Sequence, residues 1–443
     1  MPESRRGLTS ITIAGVRLSR RGWGFLGASA ILFVAAYAAG RPELLSVATL
    51  LGVLPIVAAL AVRIRRPRLN VTRSFSPQII QAGTTTDVAL TVRNLSAGRS
   101  TRARWWDVLP WSPSMTRDGI IPSLEPRAPR FLARGNTTTL RYELRPPHRG
   151  RFEIGPLEVE IGDGFGLATS SIVVGTPEPL IVTPEVIALA ESGLSMPAGD
   201  GEARLLQRRA AGDDDDVMTR EYRRGDAMRR VHWRATARHG DLMVRQEEQR
   251  SLPQATIFIE TQFEGYQDAS EEDARAFSPA FEWSVRMLAS VAVHLRRLGF
   301  LVTIVESGTA QLTDVGAGKR RTWGDEEFLS ALATLDLADG VNEEPPSSQS
   351  TSGPLIALVG NPHPDTVEAM IARRRAGELA VAFMVSGATT LDILGRSFGL
   401  APSAPQIADR LTEAGWLVVP VRSDDDHAAV WQAVVVETGR ARG

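Results

Sequence analysis

A chain of 443 residues with a formal net charge of −1 and no cysteine is excluded from several classes at once. The balanced charge argues against a general nucleic-acid binder, whose domain is usually strongly basic. Without thiols there are no disulfides, thiolate metal sites or cysteine nucleophile.

Two apolar, uncharged runs come first, Gly22 to Gly40 and Leu44 to Val62. Each approaches the ~20 residues that cross a hydrocarbon core. Only Arg41, Pro42 and Glu43 lie between them, so the pattern predicts a transmembrane helical hairpin. A signal peptide is the rival reading of the first run, and it fits poorly because a second span follows at once. Arg5, Arg6, Arg17, Arg20 and Arg21 precede the hairpin, and Arg63, Arg65, Arg66 and Arg68 follow it. Short flanks rich in arginine stay cytoplasmic. Both ends are therefore expected inside, giving a multi-pass plasma-membrane protein whose soluble domains face the cytoplasm. The expected organisation is a cytoplasmic segment at 1–21, the hairpin at 22–64 and a β-sandwich-like domain at 69–184. A linker with an arginine-rich segment at 185–254 and an α/β domain at 255–443 complete it.

From Leu69 the sequence alternates. Val88, Leu90 and Val92 share one strand face, and "NTTTLRYELRPPHRGRFEIGPLEVEIGDGFGLATSSIVVG" alternates between Pro-Pro and Gly-Pro turns. Short alternating runs between turn signals suggest an antiparallel sandwich. Trp105, Trp106 and Trp111 are expected to fill its core or edge rather than form a ligand platform. Residues 190–216, with four aspartates at Asp213 to Asp216, read as a linker or ordered loop. From Ala255 apolar strands ("ATIFIE", "FLVTIVE", "PLIALVG", "LAVAFMV", "WLVVPV") alternate with helical patterns such as Ala280 to Arg297. That alternation predicts a mostly parallel sheet covered on both faces.

The stretch "TREYRRGDAMRRVHWRATARHGDLMVRQEEQ" concentrates arginine in a nearly neutral chain. With Asp226 as N-cap, a helix over Ala227 to His239 would align Arg230, Arg234 and Arg238, with Met228, Val231 and Ala235 as an adjoining apolar face. Like charges at that spacing oppose a helix, so counter-charges are needed. Glu221, Asp226, Asp241, Glu247 and Glu248 are at hand. Two readings stand. The favoured one is an internal arginine–carboxylate network pinning the helix, since arginine's planar fork suits bidentate pairing. The other is a surface for an acidic partner, a phosphate or lipid headgroups, with Trp233 packed or stacked on a guanidinium.

These residues carry a family resemblance. "REYRRGDAMRRVHWRATAR" followed by "GDLMVRQEEQ" resembles the signature of the bacterial family termed domain of unknown function 58. Arg220, Glu221, Tyr222, Gly225, Asp226, Arg229, Trp233, Ala237 and Arg238 stand at its positions, and Arg230 and Arg234 lie among them. "RGRFEIGPLEVEIGDGFGL" resembles the family's preceding segment. The resemblance implies a membrane-tethered protein whose C-terminal part is von Willebrand factor A-like. It also implies a MoxR-type AAA+ ATPase as partner, a transglutaminase-like membrane protein as possible neighbour, and an adaptor role in a chaperone-like or assembly system. Metal-binding A domains carry Asp-x-Ser-x-Ser after the first strand. Here Glu260, Thr261, Gln262, Phe263 and Glu264 follow "ATIFI", so Glu260 is a weak metal candidate lacking the hydroxyl pair that a hard cation uses.

Catalytic motifs are not evident, and no cofactor is expected. "GAGKRR" at Gly316 to Arg321 lacks the upstream glycine and the Ser/Thr of a phosphate-binding loop. "GDGFG" at Gly162 to Gly166 does not open a helix. His232 and His239, with Asp226 or Asp241, are weak evidence for zinc. The expected role is a non-enzymatic interaction module. The alternative is a hydrolase or transferase using Glu221, Asp226, His232 and Trp233.

Overall fold

The computed structural model describes residues 15–127, 135–190, 219–222, 228, 231, 233–245, 253–272, 275–312, 324–340, 353–387 and 404–440. The chain divides into two compact units, Met1–Pro184 and Glu185–Gly443.

The first unit opens with strand β1 (Val16–Leu18) and the two expected apolar helices, α1 (Arg20–Ala39) and α2 (Pro42–Ile64). Both are long and apolar enough to cross a membrane. Gly40, in the left-handed region, ends α1, and Pro42 opens α2 where its missing N–H costs nothing. The two helices meet through small groups, with Ser29 Oγ donating to Ala48 O at 2.6 Å. Their remaining faces expose Ile31, Phe33, Val34, Leu50, Val53 and Ile56, as lipid-facing helices do. Pro55 sits inside α2 and is tolerated there.

The strands that follow are β2 (Leu69–Ser76), β3 (Ile79–Gln81), β4 (Thr86–Asn94), β5 (Ala103–Leu109), β6 (Ser112–Ile121), β7 (Thr137–Leu144), β8 (Gly150–Ile154), β9 (Leu157–Gly162), β10 (Ala168–Val174) and β11 (Glu178–Thr183). They form sheets in the orders β1-β10-β9-β5-β6, β2-β4-β7 and β3-β11-β8. Pairing is antiparallel apart from β3 with β11. Alternation puts Val88, Leu90, Val92, Val159, Ile161 and Leu180 into one core. Trp105 is buried in that core. Trp111 packs edge-on against Phe152 at 4.9 Å, and Trp106 donates its indole N–H to Glu158 at 2.9 Å.

One inward position of β2 holds a charge. Arg73 Nη2 donates to both carboxylate oxygens of Asp107 of β5, at 2.7 and 2.9 Å, and Tyr142 of β7 donates to the same carboxylate at 2.5 Å. The ion pair is almost wholly buried. Burial first, and the Asp107 charge second, push the Tyr142 hydroxyl above its ordinary range. Arg73 also donates to Ile154 O at 2.6 Å, where a Cβ on Gly155 would lie 2.5 Å from its Nη1. Only glycine lets the backbone come that close.

The second unit contains β12 (Thr219–Glu221), α3 (Trp233–His239), β13 (Met243–Arg245), β14 (Gln254–Ile259), the hairpin β15 (Ser270–Glu272) and β16 (Arg275–Phe277), and α4 (Pro279–Arg297). β17 (Leu301–Glu306), α5 (Asp325–Leu332), β18 (Leu355–Val359), α6 (Pro364–Arg373), β19 (Ala380–Ser386), α7 (Ala404–Glu413), β20 (Leu417–Arg422) and α8 (His427–Arg440) follow. Five strands form a wholly parallel sheet in the order β17-β14-β18-β19-β20. Both faces are covered, so the central strands are mostly apolar and buried. Ile257, Ile356 and Phe383 face one core with Phe281, Leu288 and Trp431, while Phe258, Ala357 and Met384 face another with Met370, Leu411 and Trp416. Ser278 caps α4 by accepting from Phe281 N at 3.0 Å. The linker at 191–218, the "GAGKRR" stretch and most of 342–353 lie outside the described residues.

Candidate functional site

The arginine-rich segment folds as a small strand–helix–strand motif. β12 and β13 pair antiparallel, matching Arg220 with Val244 and Glu221 with Met243. Tyr222 N donates to Leu242 O at 2.7 Å, and Met243 N donates to Thr236 Oγ1 at 3.0 Å, tying α3 to the strand after it. Gly240, with φ 84°, turns the chain out of the helix.

The expected helix from Ala227 is corrected here. α3 begins only at Trp233, because Val231 makes a β-bridge with Val244 and both side chains are buried. A β-branched residue against a strand gains more from that packing than from another helical turn. The expected alignments of Arg230 with Arg234 and Arg238, and of His232 with His239, depend on positions 230 and 232, which lie outside the described residues. Met228 and Val231 do not share an apolar face, since Val231 is buried and Met228 is 57% exposed.

Gly225, Asp226, Arg229, Arg230 and His232 lie outside the described residues, as do the side chains of Arg220 and Arg234. Glu221, Ala237, Arg238 and Asp241 are exposed, and Tyr222 is half-buried. Trp233 is 66% exposed, and Leu242 is also exposed. The motif thus turns a tryptophan and two further large apolar side chains outward, with a guanidinium on the last helical turn, where the helix dipole favours it.

The parallel sheet supplies a second feature. After β14 the chain crosses to β17 on one side, then to β18 on the other. Ligands of open α/β sheets bind beyond the carboxyl ends of strands where the order reverses. A cavity of about 330 Å³ opens there, between Gln262, Glu264 and Gly265 after β14, Asn361 and His363 after β18, and Arg410 of α7.

Beneath Gly265 lies Glu260, fully buried; a Cβ on Gly265 would come 2.7 Å from its Cγ. Glu260 Oε1 accepts from the Ser307 hydroxyl and from Gln262 N, while Oε2 has no hydrogen-bond partner. Burial pushes its pKa up, and the Ser307 and Gln262 bonds hold it part-way down. Glu306, at the end of the neighbouring strand, uses both oxygens on Gln311 N and Leu312 N, each at 2.8 Å. As a metal ligand Glu260 is poorly equipped. Its neighbours are donors, whereas a hard cation needs several acceptor oxygens. Among the described residues no group of three or more His, Asp or Glu side chains could hold a metal ion. Sequence reasoning missed Ser307, Gly265 and His363; the one available signal was their place just past strand ends.

Residues 218–271 match the profile of the family described as Protein of unknown function DUF58. This stretch carries the DUF58 signature. The matched DUF58 segment runs from the start of the strand–helix–strand motif through β14, Glu260 and Gly265, so it holds that motif and the β14 side of the cavity. No curated protein matches the chain. Among solved structures, a CARDB domain from Pyrococcus furiosus, solved with di-metal ions, is 14% identical over 25% of this chain and 94% of its own, with a TM-score of 0.18. A family two carbohydrate esterase from Clostridium thermocellum, in complex with cellohexaose, is 10% identical over 82% of this chain and 94% of its own, with a TM-score of 0.20. At such scores neither likeness bears on fold or function.

Proposed function

We propose that this DUF58 protein is a membrane-anchored interaction module that docks an AAA+ ATPase through the motif carrying Trp233 and Arg238. The hairpin α1–α2 is the anchor. Arginine on both of its flanks orients the soluble units toward the cytoplasm. The second unit acts as a von Willebrand factor A-like platform, a reading supported by its parallel sheet with helices on both faces. The MoxR type of ATPase comes from the family resemblance, as does a transglutaminase-like membrane protein as neighbour.

The observation that carries this reading is the exposure of Trp233, at 66%, in a segment that also exposes Met228 and Leu242. A folded protein has little reason to leave an indole in water. Tryptophan and arginine are the residues most enriched where binding energy concentrates, and clustered exposed apolar side chains mark interaction sites. The same exposure weighs against the hydrolase or transferase alternative, because Glu221 and Trp233 stand on open surface rather than in a water-excluding site.

The test is capture of the full chain from native membranes, wild type against a Trp233→Ala, Arg238→Ala double variant. An AAA+ ATPase identified by mass spectrometry is expected with the wild type. The variant should lose it while keeping its melting temperature. Equal recovery of the ATPase with both forms would refute docking at this motif.

A further inference from the structure

A groove of about 240 Å³ runs beside α2 in the first unit. One wall is Leu54, Val57, Ala58, Ala61, Val62 and Arg65. Their spacing of three and four residues puts them on one helical face. From Leu54 to Arg65 that face is about 16 Å long at 1.5 Å rise per residue. It is apolar along its length and ends on a guanidinium, with Ala58 and Ala61 leaving the space.

The opposite wall is the loop between β9 and β10, with Gly162, Gly164 and Phe165. This loop is firmly built. The Asp163 carboxylate accepts from the amides of Phe165, Leu167 and Ala168 at 2.7–2.8 Å. Ser19, the cap of α1, donates its hydroxyl to Gly166 O at 2.6 Å and its amide to Leu167 O at 2.8 Å. A Cβ on Gly22 would lie 2.3 Å from Leu167 O, so the loop rests directly on the first turn of α1. The clamped loop presents Phe165 70% exposed, and Trp23, 42% exposed, projects from that same first turn of α1. Aromatic side chains at that level of a spanning helix sit at membrane–water interfaces.

We propose that this groove holds one acyl chain of a bilayer phospholipid, with the phosphate on Arg65 and Phe165 closing the side. The polarity gradient is that of the ligand, apolar at depth and cationic at the mouth. The Asp163 carboxylate, which also lines the groove, is held by three backbone amides. Charge-assisted bonds from arginine to phosphate are strong, and the other arginines flanking the hairpin favour an anionic headgroup. The groove is smaller than the roughly 300–1,000 Å³ sites that enclose whole drug-sized molecules, which suits a segment of a single chain. The inference rests on the hairpin crossing a bilayer, and resistance of the wild-type chain to carbonate extraction tests that separately.

The deciding experiment is native mass spectrometry of the full chain in mild detergent with dioleoylphosphatidylglycerol. One retained lipid per wild-type chain is expected. Ala61→Trp, which fills the groove, should cut the retained fraction about tenfold, whereas Ile56→Trp on the exposed face should leave it unchanged. Arg65→Gln should weaken retention of the phospholipid more than that of dioleoylglycerol, which has no phosphate. If Ala61→Trp lowers helicity by circular dichroism, Phe165→Ala and Arg65→Gln decide instead, and both should shed lipid. Equal retention in the groove-directed variants and Ile56→Trp would overturn the proposal. A chain dimer in place of the lipid adduct would also overturn it.

Discussion

Arg73 and Arg238 show two uses of arginine in one chain. Arg73 is turned into the β core, paired with Asp107 and roofed by Tyr142. Arg238 stands in solvent on a short helix that also exposes Trp233. Tryptophan divides in the same way. Trp283 and Trp431 are buried in the α/β core, Trp283 stacked on His427 at 4.4 Å, whereas Trp233 faces water. A side chain that serves the fold has its charge or its apolar area covered by a partner. One that stays exposed on an ordered motif contributes little to folding and is available to a partner.

The comparison breaks first at Asp107. Asp107→Asn should leave Arg73 as an uncompensated buried charge and cost about 3–5 kcal/mol of stability, read from urea unfolding of the purified chain. A loss under about 1 kcal/mol would mean the pair does not hold the β unit. Next, Trp283→Ala should cost about 3–5 kcal/mol, in line with large aromatic truncations in cores, and Trp233→Ala no more than about 0.5 kcal/mol, as at ordinary surface positions. Comparable losses at the two sites would erase the distinction.

Two titrations sharpen it further. His427 is buried and its pKa is lowered to about 4. Its unfolded value lies near 6.5. Below that pH the unfolded chain takes the proton first, so stability falls as pH drops from about 6.5 to about 4. His427→Phe should flatten that arm of a melting-temperature profile. For Glu260 the sign is opposite. Its folded pKa is raised by burial, so the unfolded chain releases the proton first, and stability falls as pH rises past the unfolded value near 4.3. Glu260→Gln should therefore melt higher than wild type at neutral pH, with the gap closing below about pH 4. A constant gap across that range would show that the carboxyl's ionisation does not matter to folding.

The sequence makes the apolar hairpin and the α/β alternation plain, because both are local. Two uncharged runs reveal α1 and α2, and continuous apolar runs such as "LIALV" reveal buried strands. The β unit's alternation is equally local, and it contained a signal that went unread: Leu69, Val71 and Phe75 share a strand face with Arg73, where a charge demands a buried partner. That partner, Asp107, lies 34 residues away, beyond the reach of any periodicity. The same limit hides the Ser307 bond to Glu260, which spans 47 residues. It also explains the misplaced start of α3. From Ala227 the local pattern is helical, and only the long-range bridge of Val231 to Val244 withdraws that residue from the helix.

The account's central claim is that the motif around Trp233 meets a protein partner. A photo-crosslinking phenylalanine at position 233, in the full chain in native membranes, tests it most directly, with the same group at exposed Leu298 as reference. A covalent adduct with an AAA+ ATPase is expected from position 233 and none from position 298. No adduct from 233, or equal adducts from both positions, would contradict it.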